Sequence, residues 1–494
     1  MLKSENLPNE AKENVITIQS LRDRYILKEL LKFCTIYLKE RIKMSFKKDF
    51  VWGVATASYQ IEGAYNEDGK GLNIWDVFSH EPGNIECGHT GDVACDHYHS
   101  FKEDVALMKE LGVKAYRFSL SWTRIFPEGT GEINEKGVKF YSDLIDELVK
   151  NGIEPYITLF HWDYPYALYK RGGWLNEESV KWFADYAAKV SELYSDRVKY
   201  FITFNEPQCF IGSGYLSGGH APGLKVSYRD IFQMCHNVLK AHGAAVIALR
   251  KNAKQTLKIG YAPTCTANYP STDKPEDVEA ARKALFACPQ LSRGVMWNTS
   301  WWSDPIVLGH YPKEGLEMYK DYLPEITEED MKLISQPIDF YAQNIYNGKE
   351  IRAGADGKPE IVERYIGSPK TAIQWPITPE CMHWAPKFFY ERYKLPFYIT
   401  ENGMSAHDVV SLDGKIHDPN RIDFLNRYLL ELEKAVDEGV QVEGYFLWSF
   451  MDNFEWSKGY TERFGIVFVD YETQKRIPKD SAYWYKEWIE AHSK

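Results

Sequence analysis

Eight short apolar runs alternating with amphipathic segments predict an α/β fold, a single (β/α)8 TIM barrel with elaborated βα loops. Two further observations agree. Most of the runs are apolar throughout, which suits strands covered on both faces. The helical segments end at Gly112, Asn151-Gly152 and Gly439, the expected stop signals. A doubly wound open sheet fits the same alternation, but no glycine-rich turn follows the first run, where a dinucleotide site needs one. With 494 residues the chain is long enough for one large domain.

The barrel is expected over residues 44–494, beginning at Met44. Residues 1–43 read differently: a polar stretch to Ser20, then apolar residues from Ile26 to Ile42 at helical spacing among charges. They are expected to be a dispensable extension, helical or disordered; an amphipathic helix on a membrane surface is the other reading. The strands are expected at 50–58, 115–122, 154–160, 200–206, 258–265, 339–346, 396–401 and 442–450. Helices are expected at 98–111, 139–150, 182–194, 231–250, 379–393 and 421–438.

In a barrel of this kind the reactive groups gather at the C-terminal ends of the strands. Two of those ends share one build. Phe397-Tyr398-Ile399-Thr400-Glu401-Asn402-Gly403 leads an apolar run into a carboxylate and then a turn dipeptide. Tyr200-Phe201-Ile202-Thr203-Phe204-Asn205-Glu206-Pro207 does the same and stops at a proline, which cannot continue a ladder. Either glutamate alone could be a salt-bridged or capping residue. Two of matching design suit the pair of carboxyls that most glycoside hydrolases place across the scissile bond. The remaining strand ends supply Gln60, Arg117, His161-Trp162-Asp163, Asn344, Tyr346 and Trp448, followed by Asp452-Asn453-Phe454-Glu455-Trp456. Hydrogen-bonding side chains interleaved with tryptophan suit a pocket for a polyhydroxylated ring.

Composition narrows the class. A net charge of −11 with both signs interspersed argues against a nucleic-acid surface. Aromatics make up 15 % of the chain, a heavy load that suits stacking on sugar rings although most must be core. The eight cysteines include no C-x-x-C pair and no signal peptide is evident, so free thiols in a cytoplasmic setting are expected. No apolar run approaches the roughly 18 residues of a membrane span.

With these residues in hand, the chain from about Phe46 onward resembles the β-glucosidases of glycoside hydrolase family 1. The motifs stand in order: 50–63 (FVWGVATASYQIEG), Arg117-Phe118-Ser119, Thr203-Phe204-Asn205-Glu206-Pro207, Ile399-Thr400-Glu401-Asn402-Gly403 and Asp452-Asn453-Phe454-Glu455-Trp456. The resemblance implies a retaining, metal-independent enzyme with no cofactor, acting on β-glucosides and cello-oligosaccharides, with a homo-oligomer by family analogy. It implies that Glu401 is the nucleophile and Glu206 the acid/base, with Arg117 and Tyr346 contacting the nucleophile. It further implies sugar contacts from Gln60, His161, Trp162, Asn205, Asn344, Glu455 and Trp456, a platform at Trp448 and an aglycone-side Trp375. Glu455 suits a free sugar. The neighbouring Lys458 keeps a 6-phospho-β-glucosidase as the alternative, and a binding protein that has lost catalysis is a third reading. One departure is Asn344-Ile345-Tyr346, where the family usually has two aromatics, and altered packing is expected there.

Three other features have blander readings. Cys95-Asp96-His97-Tyr98-His99 is expected to open a helix with Asp96 as N-cap rather than bind metal. His220 is expected to shape the rim. Trp297, Trp301 and Trp302 are expected to pack helices against the barrel, with a second sugar platform as the other reading.

Overall fold

The structure, a computed structural model, describes residues 46–493. The extension expected over 1–43 lies outside the described residues. Eight parallel strands close into a barrel: β1 Val51–Ala55, β2 Ala115–Ser119, β3 Glu154–Phe160, β4 Tyr200–Asn205, β5 Lys258–Ala262, β6 Phe340–Asn344, β7 Phe397–Asn402 and β8 Val442–Trp448. They run in chain order around the ring, and β8 closes on β1 with Ala55 opposite Trp448. The principal helices between and after them are α1 His97–Glu110, α2 Glu135–Lys150, α3 Ser179–Tyr194, α4 Tyr228–Lys251, α5 Thr299–Val307, α6 Cys381–Tyr393, α7 Pro419–Asp437 and α8 Asp480–His492.

The eight expected strands are all present, but several end earlier than the apolar runs do. β1 stops at Ala55, and Ser58–Ile61 turns into a short helix that carries Gln60. β2 stops at Ser119 before another short helix, Trp122–Ile125. In both cases apolar composition continues across the turn because those residues are buried under the βα loops. Helix α2 starts four residues before the apolar pattern does, since its first turn is the polar Glu135-Lys136. The β5–β6 connection also holds helices, and with the β6–β7 connection it forms a small three-stranded sheet (Tyr269–Pro270, Glu350–Ala353 and Pro359–Ile361), none of which periodicity alone revealed.

An aromatic layer fills the lumen. Tyr156 of β3 stacks on Tyr200 of β4 at 4.2 Å between centroids and meets Phe446 of β8 at 4.9 Å. Strands β3 and β8 are not neighbours in the ring, so that second contact crosses the barrel. Each fully buried ring of this kind stabilises the fold by roughly 1.5–3 kcal/mol. No helix of the described residues is long and apolar enough to cross a membrane.

Candidate active site

Strands β4 and β7 each slip register just before their glutamate. The pairing of β4 with β5 shifts between Ile202 and Asn205, and that of β7 with β6 shifts between Ile399 and Glu401. A bulge re-aims the side chains that follow it, and here it delivers Glu206 and Glu401 into one cavity of about 600 Å3. Glu206 then adopts φ 46°, ψ 66°, and Pro207 opens the short helix Pro207–Ile211. Trp162 (φ 81°) and Trp456 (φ 48°) on the same cavity wall also lie in the left-handed region, which costs energy for non-glycine residues and concentrates at functional sites.

The two carboxylates are joined by a hydrogen-bonded chain across the lumen. Arg117 Nη1 donates to Glu401 Oε1 at 2.6 Å, and its Nη2 donates to Asn205 Oδ1 at 2.6 Å. Asn344 Nδ2 donates to the same Asn205 oxygen at 2.9 Å and to Glu206 Oε1 at 2.7 Å. Tyr346 donates its hydroxyl to Glu401 Oε2 at 2.7 Å.

The two environments differ in charge. Burial raises the pKa of both carboxyls. For Glu401 burial still leaves the pKa above the usual carboxylate value, but the adjoining Arg117 cation and the Tyr346 hydroxyl offset part of the rise, so it is the member that ionises first. Glu206 is pushed up to about 7 by burial and then by the Glu401 charge. Glu206 accepts from two groups, Asn344 and the Cys209 thiol, which donates to Oε2 at 3.1 Å. Both donors are neutral, so Glu206 can still hold a proton near neutral pH.

The walls hold sugar-sized chemistry. Trp448, Trp456, Trp162 and His161 line the cavity, and Trp456 packs its ring 4.3 Å from Trp162 and 4.6 Å from Trp75. Asn205 Nδ2 donates to His161 Nε2 at 3.0 Å, which places the ring proton on Nδ1, a buried atom with no protein partner. Burial and the Arg117 charge keep this imidazole neutral. Gln60 donates to Asn453 Oδ1 and Phe454 O, tying the end of β1 to the loop after β8, while its Oε1 is buried and unpartnered. That loop is also pinned at Asp452, which accepts from Lys479 at 2.7 Å and Arg463 at 2.6 Å. It presents Glu455, pushed up to about 8 by burial and by the charges of Glu401, Glu462 and Glu206. Lys458, on the same cavity, ion-pairs with Glu86 at 3.0 Å. Trp375 lines the cavity beside Tyr346, ring centroids 5.2 Å apart. Gln60, Arg117, Asn205 and Asn344 stand behind the wall as its fully buried support.

Several expectations change. Asp96 sits at the N-cap position but does not cap; it accepts from His99 instead, and His97 pairs with Asp104. Ile345 is fully buried, and its carbonyl accepts from Asn402. Trp301 and Trp302 are buried as expected, whereas Trp297 is 48 % exposed on the cavity wall. His220 does line the cavity, together with Cys209, Thr264 and Cys265, which sequence reasoning passed over. Cys209 lies three residues after Glu206, the one-turn spacing that could have flagged it.

The family described as glycosyl hydrolase family 1 matches residues 42–494. The chain is 48 % identical over 443 residues to beta-glucosidase A of Thermotoga maritima, covering 89 % of this chain and 96 % of the relative. It is 45 % identical to beta-glucosidase A of Acetivibrio thermocellus, covering 90 % and 98 %. Among solved structures, the Thermotoga maritima β-glucosidase in complex with glucoimidazole superimposes with a TM-score of 0.83 at 47 % identity, over 91 % of this chain and all of that one.

Proposed function

The chain belongs to glycosyl hydrolase family 1, and we propose that it is a retaining β-glucosidase whose 44–494 barrel removes the terminal non-reducing glucosyl unit of β-glucosides and cello-oligosaccharides. The observation that carries this reading is the pair of carboxyls on one cavity in opposed environments: Glu401 held ionised by Arg117 and Tyr346, Glu206 protonated near neutral pH. Glu401 attacks the anomeric carbon while Glu206 gives its proton to the departing glycosidic oxygen. A glycosyl ester forms on Glu401 as the C–O bond breaks. Glu206, now ionised, takes a proton from water; that water attacks the anomeric carbon and releases glucose with the β configuration. Charge on the ring peaks in the oxocarbenium-like transition state, where the fixed Glu401 carboxylate opposes it.

The unpartnered His161 Nδ1–H supplies a donor for ring hydroxyls and Trp448 a face for the ring, and the unpartnered Gln60 Oε1 is a buried acceptor behind them that a bound ring hydroxyl would satisfy. Glu455 supports an unmodified 6-position, because its carboxyl can exchange hydrogen bonds with free hydroxyls while Lys458, the nearby cation a phosphate would need, is already paired with Glu86. The seven cysteines of the described residues are all free thiols, which fits a cytoplasmic enzyme. The test is kcat/KM on matched aryl β-glucoside, β-galactoside, β-fucoside and 6-phospho-β-glucoside. Turnover of the free sugars with none of the phosphate is expected; cleavage of the phosphate alone contradicts the substrate class.

A further inference from the structure

Trp297 differs from the other tryptophans of its segment in being half exposed and facing the catalytic cavity. The backbone around it is anchored on both sides. Its own N–H donates to Gly294 O at 3.0 Å, and the Met296 carbonyl before it accepts from Trp302 Nε1 at 3.0 Å. Asn298 after it caps α5 by accepting from Trp301 N at 3.1 Å. The exposed half of the indole lies on the cavity wall on a fixed turn, so a ring that enters the cavity can stack on it and cover apolar surface that the protein itself leaves open.

Its position in the ring says which part of a ligand it meets. Trp297, Thr264 and Thr266 all follow β5, and β5 stands four strands away from β1 in the closed ring of eight. Gln60 follows β1, and Glu455 lies on the adjoining loop after β8, to which Gln60 is bonded. The carboxylate pair is carried by β4 and β7, between those two sides. The glucosyl unit to be cleaved occupies the Gln60 and Glu455 side, so Trp297 faces what lies beyond the scissile bond.

We propose that Trp297 is the stacking platform of an outer subsite for the reducing-side units of linear β-linked gluco-oligosaccharides, which makes the enzyme favour longer chains over cellobiose. This rests on the β-glucosidase reading of the cavity. The flat indole face matches the axial C–H face of a β-linked pyranose, and the partly exposed Thr266 hydroxyl supplies a polar contact on the same side.

The experiment measures kcat/KM for an aryl β-glucoside, cellobiose, cellotriose and cellotetraose in the wild type, Trp297→Ala and Trp297→Phe. The wild type is expected to gain from cellobiose to cellotetraose. Trp297→Ala should lower the cellotetraose-to-cellobiose ratio about three- to tenfold while moving the aryl glucoside less than about twofold. Trp297→Phe, which keeps a ring, should retain most of the ratio. An unchanged ratio in Trp297→Ala overturns the proposal. Equal losses on aryl glucoside and oligosaccharides overturn it too, since they mean Trp297 only supports the fold. A wild type inactive on every glucoside refutes the β-glucosidase reading itself and the outer subsite with it.

Discussion

Arg117 Nη1 stands 2.6 Å from Glu401 Oε1 as a buried ion pair, the cation delivered by β2 and the anion by β7 across the barrel. Removing the cation leaves a buried carboxylate with only neutral donors, the Tyr346 hydroxyl and the Asn344 amide, so its pKa rises. Arg117→Met should therefore move the acidic limb of the kcat/KM profile to higher pH and lower its maximum by about 100-fold or more. A pH titration of kcat/KM reads both effects. An acidic limb that stays in place would mean that Arg117 does not hold Glu401 ionised.

Glu206 sets the other limb, and Cys209 tunes it. Its thiol donates to Glu206 Oε2 at 3.1 Å, and burial raises the thiol's own pKa so that it remains a donor. A bond to the carboxylate favours the ionised form; without it the Glu206 pKa climbs further above about 7. Cys209→Ala should shift the alkaline limb upward by about 0.4–1 pH unit, the worth of one neutral hydrogen bond. Cys209→Ser keeps a donor and should leave the limb near its wild-type position. Glu401, Arg117, Tyr346, Glu455 and Cys265 also act on this site, so the comparison must hold them constant.

Glu455 links the site to stability. Its folded pKa is pushed up to about 8, while an unfolded glutamate titrates near ~4.3. Between those values the folded state binds the extra proton, so stability falls as pH rises through the window. Melting temperatures at pH 5 and pH 8 should show a smaller drop for Glu455→Gln than for the wild type. The same substitution should lower activity on glucosides, because function keeps a carboxyl where the fold does better without one.

The strand-end glutamates were legible in the sequence because an apolar run ending in Asn-Glu-Pro or Glu-Asn-Gly announces both the strand and its stop. The partners of those residues were not. Asn344 reaches Glu206 only because β6 lies between β5 and β7 in the ring, and the register slips that aim the two glutamates have no local signature. Trp297 was grouped with Trp301 and Trp302 by proximity in sequence, yet the turn before α5 points it to the cavity instead of the core. The early ends of β1 and β2 were hidden because the loops above the barrel are themselves apolar.

Gly403 shows why the turn after β7 takes glycine. A Cβ there would stand 1.9 Å from the Trp448 carbonyl oxygen of β8. Gly403→Ala must push the two strand ends apart, at a cost of about 1–3 kcal/mol. Thermal unfolding should show the loss, and kcat/KM should fall even at temperatures where the variant is folded, because Glu401 and Trp448 both shift. Unchanged activity in a folded variant would mean that the site tolerates that displacement.

The double-displacement account is tested most directly by trapping the glycosyl-enzyme with an activated 2-deoxy-2-fluoro-β-glucoside, which slows hydrolysis of the intermediate more than its formation. Mass spectrometry of the intact protein and of its peptides locates the adduct. The account predicts one added sugar per chain, attached at Glu401. No adduct under conditions of turnover, or an adduct at any other carboxylate, would contradict it.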